Sequence, residues 1–484
     1  MEAKCGKLDG VRGVYAVDEI RAAEAALMAR QPDGALMARA AGGLAVECAE
    51  LLGRTYGARV VLLVGAGNNG GDALYAGAAL ARRGAAVRAV LLAPERTHAG
   101  GLAALHRAGG RTAPPAAGSL RGADLVVDGI VGIGGQGALR GGAVELAAAA
   151  DDRLTVAVDV PSGVSADTGE VCGPAIRADV TVTFGALKPG LVSGAGLPNV
   201  GELRLVDIGL DATLPLATTF VLEAGDVAAL LPDPGAASDK YTRGVVGVVA
   251  GSPAYPGAGV LATGAAAVGG AGYVRYAGAA AEAIRARYPE VVVQSGTDPG
   301  DLRVQAWVIG PGMGTDGGAR RLLEAVLATD VPVIVDADGI TLLGQHRELL
   351  RGRSAPTVLT PHDREFARIA DGPSADRLAS ARAAAARLGA TVLLKGAATV
   401  VAAPDGRAWV NRTGTPWLAT AGSGDVLSGL IGSLLAGGLE APLAAAAGAF
   451  VHGVAGQLAA AGGPPSSLDV LNALRPALRT VRAG

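Results

Sequence analysis

The chain has 484 residues, half of them hydrophobic and only 18% charged, so it can bury the cores of two or three domains. Its formal net charge is −2 and no basic stripe stands out, which argues against nucleic acid or an anionic membrane as the main partner. The three cysteines, Cys5, Cys48 and Cys172, show no metal-ligand spacing and are typical of a reducing compartment. Neither a secretory signal nor a membrane span is predicted, so we expect a cytoplasmic protein.

Strands and helices alternate along the first 210 residues. Two amphipathic helices, Asp18–Ala29 and Leu36–Leu52, come first, and later helical periods include Asp72–Arg83 and Gly142–Ala150. Apolar runs rich in β-branched residues predict the strands Val60–Val64, Val87–Leu92, Leu125–Asp128, Thr155–Asp159, Val180–Phe184 and Leu203–Ile208. This alternation predicts a parallel sheet covered by helices on both faces, that is, a Rossmann-like three-layer α/β domain.

A segment with prolines and acidic residues, Leu210–Pro234, interrupts the alternation and predicts a domain boundary near residue 220. A second α/β series follows, and its last third predicts the helices Gly424–Ala436 and Pro442–Ala460. Its predicted strands are Val245–Ala250, Trp307–Ile309, Val333–Val335, Thr357–Thr360, Thr391–Leu394 and Thr399–Ala403. We therefore expect an N-terminal tail (residues 1–14), a first domain (15–215), a linker (216–224) and a second α/β domain (225–484).

The strand Val60–Val64 runs into a glycine-rich loop that opens a helix, an arrangement that favours phosphate at the helix start. The loop fits Gly-x-Gly-x-x-Gly, but the next strand closes on no acid that could hold a ribose, so an ordinary NAD dehydrogenase is a poor fit. The carbonyls of Asn68 and Asn69 could ligate a hard cation, and Asp72 could hydrogen-bond a sugar. The alternative is that Asp72 caps the helix and the asparagines hold the turn.

Further strands of the first domain end in polar residues. Asp128 closes one strand, while Asp159 and Ser162 follow another. Because ligands bind outside the carboxyl ends of parallel strands, we expect these side chains to converge with the asparagine loop. The next strand leads to Lys188, which we expect on the same rim.

Three motifs of this half, in this order, resemble the NAD(P)H-hydrate epimerases over residues 15–212: Gly-x-Gly-Asn-Asn-Gly-Gly-Asp, Asp-Gly-Ile-Val-Gly and Val-Asp-Val-Pro-Ser-Gly. The resemblance implies interconversion of the two C6 epimers of hydrated nicotinamide nucleotides, with K+ bound through Asn69, Asp128 and Ser162. Asp159 is then the candidate proton-transfer group and Lys188 a candidate helper. The implied substrate-binding residues are Asn68, Asn69, Gly70, Gly71, Asp72, Gly132, Ile133, Gly134, Gly135, Gln136, Gly137, Ala138 and Asp159.

The second half carries a Gly-Ser-Gly-Asp loop that ends at Asp425 and opens an apolar helix. Its glycines and helix N-terminus form an anion hole for a phosphate in transfer. Asp425 could accept a proton from an attacking hydroxyl while backbone amides hold the phosphoryl oxygens. The alternative is a capping aspartate after a glycine turn. Alone, the loop is typical of ribokinase-like small-molecule kinases.

Other motifs of the second half suggest a nucleotide site. Lys395–Thr399 follows a strand and could hold the phosphates and ribose of an adenine nucleotide. His362 follows a strand and a proline and precedes an acid by three residues, which favours a site role; His98, His106, His346 and His452 are interpreted as ordinary core or surface residues. The remaining motifs are Lys240-Tyr-Thr-Arg-Gly244, Gly310-Pro-Gly-Met-Gly314 and Asp336-Ala-Asp338-Gly339.

The full set of motifs is similar to the ADP-dependent NAD(P)H-hydrate dehydratases over residues 222–481, except that His362-Asp-Arg-Glu365 replaces the family's His-Pro-Gly-Glu. The resemblance implies a ribokinase-like domain in which ADP activates the C6 hydroxyl for departure, giving NAD(P)H, AMP and phosphate, with Mg2+ on the phosphates. Asp425 would assist the attack of the hydroxyl on phosphorus. Implied hydrate contacts are Ala258, Gly314, His362 and Asp425, and implied ADP contacts are Lys395, Gly396, Ala397, Ala398, Thr399 and Gly424.

Both halves together resemble the bifunctional NAD(P)H-hydrate repair enzymes, in which the epimerase replenishes the epimer that the dehydratase takes. We expect NAD(P)H hydrates and ADP as binding partners, a homo-oligomer, and no nucleic acid or membrane partner. Two alternatives stay open. One is a kinase for a hydroxymethylpyrimidine-like alcohol fused to a nucleotide-binding domain, and the other treats the first half as a non-enzymatic cofactor-sensing module.

Overall fold

The computed structural model describes residues 11–483 except Gln136, Ser295 and Thr297. It divides into two compact units, one spanning Gly13–Ala217 and the other spanning Thr218–Gly484 together with the segment that ends at Arg12. We call them the first and the second unit. Cys5 lies outside the described residues.

The first unit is built on a seven-stranded sheet in which all neighbouring strands are parallel, in the order β4-β3-β2-β5-β6-β7-β8. The short strand β1 (Arg12–Val14) belongs to the larger sheet described below. The strands of the seven-stranded sheet are β2 (Arg59–Val64), β3 (Ala86–Leu91), β4 (Arg111–Ala113), β5 (Leu125–Gly129), β6 (Thr155–Val158), β7 (Val180–Phe184) and β8 (Glu202–Val206). The helices are α1 (Val17–Met28), α2 (Ala35–Leu52), α3 (Asn68–Arg82), α4 (Ala99–Arg107), α5 (Gly142–Ala150), α6 (Pro189–Val192) and α7 (Leu197–Val200).

The central strands β2, β5 and β6 are buried along nearly their whole length, which is why they appear in the sequence as continuous apolar runs. Separate hydrophobic clusters cover the two faces of the sheet, as a three-layer α/β domain requires. All six predicted strands are present within two residues of their predicted ends. The short edge strand β4 was not predicted, because its exposed residues carry no apolar pattern.

The second unit is built on a larger sheet, whose order from β12 is β12-β11-β10-β13-β14-β15-β16-β17-β18-β9-β1. From β12 to β9, β17 is antiparallel to both of its neighbours and the other pairs are parallel. The strands are β9 (Thr219–Val221), β10 (Val245–Val249), β11 (Tyr273–Tyr276), β12 (Val292–Val293), β13 (Ala306–Ile309), β14 (Val333–Val335), β15 (Thr357–Leu359), β16 (Thr391–Leu394), β17 (Thr399–Ala402) and β18 (Ala408–Asn411).

Ten helices accompany these strands within the described residues. They are α8 (Ala224–Leu230), α9 (Pro256–Val268), α10 (Ala281–Arg287), α11 (Gly317–Leu327), α12 (Asp338–Gln345), α13 (Asp363–Ile369), α14 (Arg377–Leu388), α15 (Ser423–Ala436), α16 (Ala441–Ala460) and α17 (Ser467–Ala483). The predicted break at Leu210–Pro234 is not structureless, since it contains β9 and α8. Glu223 and Asp226 cap α8, and this accounts for part of the acidic content that suggested a linker.

Helix α15, which carries the Gly-Ser-Gly-Asp loop, packs closely on the sheet and on α9. Added Cβ atoms at its glycines would lie 2.1 Å from the Ala262 carbonyl oxygen (Gly429) and 2.3 Å from Val308 Cγ2 (Gly432), so only glycine fits. Among the described residues, α16 is the one helix long and apolar enough to cross a membrane by length and composition, and 67% of its apolar window is buried in the protein. It therefore serves as a core helix.

Candidate active sites

A cavity of about 1370 Å³ opens at the carboxyl edge of the first unit's sheet. Its size suits a dinucleotide, and its walls are the glycine-rich loop after β2, the loop after β5 and the segment after β6. The predicted residues that border it are Asn68, Asn69, Asp72, Gly132, Ile133, Gly134, Gly135, Gly137, Ala138 and Asp159. Gly70 and Gly71 are buried on the same turn of α3 without bordering the cavity, and Gln136 lies outside the described residues.

Glycine brings two of these loops together. A Cβ on Gly65 would lie 1.9 Å from the carbonyl oxygen of Ile130, so the loop after β2 touches the loop after β5 only because position 65 has no side chain. Gly67, with φ of 92°, is the N-cap residue of α3, which has no side-chain cap. Asp72 lies in the second turn of α3, and the capping role considered for it is therefore wrong.

Asp128 and Ser162 form a buried polar pair beside this loop contact. The Ser162 hydroxyl donates to Asp128 Oδ1 at 2.7 Å, and the Ser162 amide donates to Oδ2 at 2.8 Å. Burial raises the pKa of Asp128 to about 6, although these hydrogen bonds act in the opposite direction. Asn69 lies nearby against Gly132, and its Nδ2 is buried without a hydrogen-bond partner.

Asp159 and Lys188 form a second buried pair, with Lys188 Nζ 2.6 Å from Asp159 Oδ1. The ammonium also donates to Thr183 Oγ1 at 2.8 Å and to the Phe184 carbonyl at 3.0 Å, so its three donors are all used. Lys188 is fully buried and does not border the cavity, so it lies behind Asp159 and not on the rim as predicted. Asp159 has φ of 68°, a strained conformation that is common at functional sites.

Glu24 on α1 also borders the cavity, and sequence reasoning missed it. Burial and the charge of Asp159 raise its pKa, outweighing the opposite effects of Lys188 and Arg21. Glu24 follows the fully buried Ile20 by one helical turn, so a carboxylate on the apolar side of α1 was the available signal.

The second unit brings four predicted motifs together at the carboxyl edge of its parallel strands. Lys395, after β16, lies 2.9 Å from Oδ1 of Asp336, after β14, and 3.8 Å from Oε2 of Glu365. Burial lowers the pKa of Lys395, but the charges of Asp336 and Glu365 outweigh it and the net shift is upward. A Cβ on Gly424 would lie 3.2 Å from Lys395 Nζ. The glycine loop therefore passes directly over the lysine.

Asp425 lies in the first turn of α15, whose N-cap is Gly422 with φ of 89°. The cap position is therefore occupied by glycine and not by the aspartate. Burial, followed by the negative charge of Asp336, raises the pKa of Asp425 to about 7, while Lys395 acts in the opposite direction. A carboxyl that titrates near neutrality can exchange protons with a substrate hydroxyl.

His362 is the N-cap of α13 in a reciprocal capping box. Its Nδ1 accepts the backbone amides of Arg364 and Glu365 at 3.1 and 3.3 Å, and Glu365 Oε2 accepts the His362 amide at 2.9 Å. Asp363 stands where the family pattern His-Pro-Gly-Glu has proline, and it forms an ion pair with Arg377 at 2.8 Å. Arg377 in turn donates a hydrogen bond to the Lys395 carbonyl at 2.8 Å, so the replacement connects α13 to the predicted ADP segment.

The other predicted contacts of the second unit lie in neighbouring loops. A Cβ on Gly312 would lie 2.7 Å from the Cβ of Ala258 in the first turn of α9. Gly314 donates its amide to Asp338 Oδ2 at 2.9 Å. The predicted ADP segment runs from the end of β16 to the start of β17 and comprises Lys395, Gly396, Ala397, Ala398 and Thr399.

Two findings in the second unit differ from the sequence predictions. Lys240 precedes β10 and therefore lies at the amino edge of the sheet, away from Lys395, with its ammonium 5.1 Å and 5.4 Å from the rings of Tyr241 and Tyr273. Ser428 was missed, although it donates to Asp336 Oδ2 at 2.8 Å. Its signal was a hydroxyl in an apolar helix, less than one turn after Asp425.

Each half of the chain matches a known protein family. Residues 33–190 match the family model for the YjeF-related protein N-terminus, and residues 246–470 match the model for NAD(P)H-hydrate dehydratase. The chain is 53% identical over 445 residues to a bifunctional NAD(P)H-hydrate repair enzyme of Mycobacterium tuberculosis (strain CDC 1551 / Oshkosh), covering 90% of this chain and 92% of that protein. The corresponding protein of Mycobacterium leprae is 51% identical over 465 residues, covering 95% and 96% of the two chains.

A solved structure supports the fold of the second unit. A ribokinase-like superfamily protein from Enterococcus faecalis matches with a TM-score of 0.51 and 26% identity, over 56% of this chain and 99% of that chain. The predicted ribokinase-like fold is thereby confirmed. Because it is more than 50% identical to these relatives over at least 90% of both chains, the chain belongs to the family of bifunctional NAD(P)H-hydrate repair enzymes.

Proposed function

We propose that this chain repairs hydrated nicotinamide nucleotides through two activities. The first domain (residues 15–215) interconverts (R)- and (S)-NAD(P)H hydrates. The second domain (residues 225–484) dehydrates the (S)-hydrate to NAD(P)H while ADP becomes AMP and phosphate. The observation that carries this proposal is the 53% identity to a bifunctional repair enzyme along 90% of the chain. The two separate carboxyl-edge sites give each activity its own set of acidic and basic groups.

In the dehydratase domain, ADP binds to Lys395, Gly396, Ala397, Ala398, Thr399 and Gly424. Lys395 is kept charged by Asp336 and Glu365 and has 22% of its side chain exposed, so it can reach a phosphate from beneath the glycine loop. Ala258, Gly314 and His362 hold the hydrate. Asp425 accepts the proton of the C6 hydroxyl, whose oxygen attacks the β-phosphorus of ADP and displaces AMP. The phosphorylated oxygen then leaves C6 as phosphate, and loss of a C5 proton gives NAD(P)H.

Magnesium on the phosphates fits this site. Among the described residues, no group of three or more His, Cys, Asp or Glu side chains could hold a metal ion. Mg2+ commonly keeps several waters and binds through substrate phosphates, so the nucleotide would carry the ion. Its contribution would be to neutralise developing phosphate charge, while Lys395 and the amides of the α15 N-terminus orient the phosphates.

In the epimerase domain, a potassium ion would be held by Asn69, Asp128 and Ser162. Their amide, carboxylate and hydroxyl oxygens are suitable donors for a hard cation. The buried, unpartnered Nδ2 of Asn69 supports this, because rotating the amide by half a turn places its oxygen at that unsatisfied position. Residues 68–72, the loop 132–138 and Asp159 bind the hydrate, Asp159 transfers a proton, and Lys188 holds the Asp159 carboxyl in place through their 2.6 Å ion pair.

We also propose that the protein is cytoplasmic and forms a homo-oligomer. The cytoplasmic location is supported by the cysteines, because Cys48 is buried, Cys172 is exposed and neither forms a disulfide. Sedimentation velocity of the purified chain tests the oligomeric state, and a single monomeric species would overturn that part.

The functional test uses a mixture of both hydrate epimers. With ADP, the absorbance of reduced nicotinamide should recover until both epimers are consumed. Recovery that stops when the (S)-epimer is exhausted would refute the epimerase activity, and no recovery would refute the dehydratase. ATP-dependent phosphorylation of a hydroxymethylpyrimidine-like alcohol without any such recovery would establish the small-molecule kinase instead.

A further inference from the structure

Four carboxyl groups border the first unit's cavity, and apart from the exposed Asp33 they are buried or half-buried and come from three different elements. Glu24 comes from α1, Asp72 from α3 and Asp159 from the segment after β6. Asp72 is only 9% exposed, and its Oδ1 is buried without a hydrogen-bond partner. A buried carboxylate normally gathers hydrogen bonds to both oxygens, whereas a protonated carboxyl can leave one unpaired until a ligand arrives.

The charges around Asp72 favour its protonated form. Lys188, the fully buried cation of this site, is bound to Asp159, with its other donors on Thr183 and Phe184. Burial and the charges of Asp159 and Glu24 raise the pKa of Asp72 to about 8.

Elements that pack against α3 (α2, α4 and β5), and α1 on the cavity wall, carry charged or titratable groups that have partners of their own. From α2, Arg39 donates to the Ile208 carbonyl at 2.8 Å. From the start of α4, His98 faces the neighbouring Gly71, and its Nδ1 accepts the Gly101 amide at 3.0 Å. From β5, Asp128 is bound by Ser162, and on α1 Arg21 lies 3.6 Å from Asp18. None of these bonds involves the carboxyl of Asp72.

We propose that Asp72 is the proton donor of the epimerase and works with Asp159 as the proton acceptor, so that the cavity holds one neutral and one ionised carboxyl group. This assignment rests on the proposed epimerase activity and names its second acid–base group. Glu24 acts through Asp72, as a positioning residue whose negative charge keeps the proton on Asp72.

The reaction balances with these two groups and one water molecule. The Asp72 carboxyl gives its proton to the C6 hydroxyl oxygen, and the C6–O bond breaks with its electron pair leaving as water. The lone pair of the ring nitrogen stabilises the cation at C6. Water adds to C6 from the opposite face and gives its proton to the Asp159 carboxylate. Proton return from Asp159 to Asp72 through solvent restores the starting state, and the net change is inversion at C6.

Chromatography of the two hydrate epimers, without ADP so that the dehydratase consumes neither, measures this exchange. Asp72→Asn keeps the shape and the hydrogen-bonding capacity but has no acidic proton, so exchange should fall about a hundredfold or more. Dehydration of the (S)-epimer by the same preparation shows that the second domain is folded, and a melting transition of the first domain no lower than that of the wild type shows that the first domain is folded. Exchange at the wild-type rate in Asp72→Asn would overturn the assignment.

A pH profile gives a second test that a structural role would not satisfy. The donor form exists below the raised pKa of Asp72 and is lost above it, so exchange should decline on the alkaline side near pH 8. Glu24→Gln removes a repelling negative charge and should move that decline to lower pH. A decline that stays in place in Glu24→Gln overturns the proposal. A wild-type chain that never exchanges the epimers overturns the proposed epimerase activity itself.

Discussion

Lys395 Nζ lies 2.9 Å from Asp336 Oδ1, 22% of the lysine side chain stays exposed, and a Cβ on Gly424 of the glycine loop would lie 3.2 Å from its ammonium. The first unit contains a similar pair, Lys188 and Asp159 at 2.6 Å, but there the lysine is fully enclosed. This difference in exposure gives the two lysine–aspartate pairs different roles. A partly exposed lysine held by a carboxylate can still donate to a ligand phosphate, whereas an enclosed lysine can only fix the charge of its partner.

Replacing Lys395 should therefore impair ADP binding. Loss of a charge-assisted bond to a phosphate costs about 1.5–3 kcal/mol, so Lys395→Met should raise the KM for ADP about tenfold to a hundredfold. Lys240→Met is the matched control, because Lys240 lies at the opposite edge of the same sheet. Steady-state kinetics with the (S)-hydrate held constant measures both variants. Equal KM values for ADP in the two variants would contradict the assignment of Lys395.

The dehydratase should lose activity as the pH falls through about 7. Burial and the charge of Asp336 raise the pKa of Asp425 to about 7, so the carboxylate that accepts the hydroxyl proton is present above that pH and is lost below it. Asp425→Asn should abolish turnover at every pH while ADP still binds, as calorimetric titration would show. Substantial turnover in this variant, or a wild-type rate that stays constant from pH 8 to pH 6, would rule out this role.

The sequence predicted the parts of both sites that directly follow strands. Asp128, Asp159, Asp336 and Lys395 each follow an apolar run, and parallel pairing places such positions at one edge without further information. Glu24 and Ser428 could not be assigned in the same way. Both are on helices, where a polar residue on the inner face is as compatible with a surface position as with a site until the packing of the helix is known.

The unusual backbone conformations at the two sites were not predicted from the sequence either. Asp159 and Ala337 are the non-glycine residues with positive φ among the described residues, at 68° and 47°. Asp159 directly follows β6 at the site of the first unit, and Ala337 lies two residues after the end of β14 at the site of the second unit. Aspartate is found at positive φ more often than alanine, but neither residue adopts it routinely, so this strain could not be predicted from residue type. Lys188 was placed on the rim for a related reason, because strand order fixes the edge but not the depth of a long side chain.

Removing Lys188 should destabilise the first domain. Lys188→Met leaves the Asp159 carboxylate buried without its cation, which typically costs about 3–5 kcal/mol. The double variant Asp159→Asn with Lys188→Met removes both charges and should recover most of the free energy of unfolding. Urea unfolding followed by circular dichroism compares the variants, with the transition of the second domain as internal reference. Similar losses in the single and double variants would show that the ion pair does not account for the effect.

Asp72 should make the first domain less stable as the pH rises from about 4 to about 8. Its ordinary value of 3.8 applies to the unfolded chain, while burial followed by the charges of Asp159 and Glu24 raises the folded-state pKa to about 8. Between these values the folded chain holds a proton that the unfolded chain has released. Stability therefore falls with rising pH by up to about 1.4 kcal/mol per unit, and this decline ends above pH 8.

Asp72→Asn removes that titration, so its melting temperature should exceed that of the wild type by a margin that widens between pH 5 and pH 8. Differential scanning calorimetry at several pH values measures the margin. Asp152→Asn is the control, since Asp152 is an exposed carboxyl of the same domain and should give the same small difference at every pH. A margin for Asp72→Asn that stays constant over this range would mean that Asp72 titrates at the same pH in the folded and unfolded chains. The proton held in the cavity would then be absent, and with it the neutral carboxyl on which the donor role of Asp72 depends.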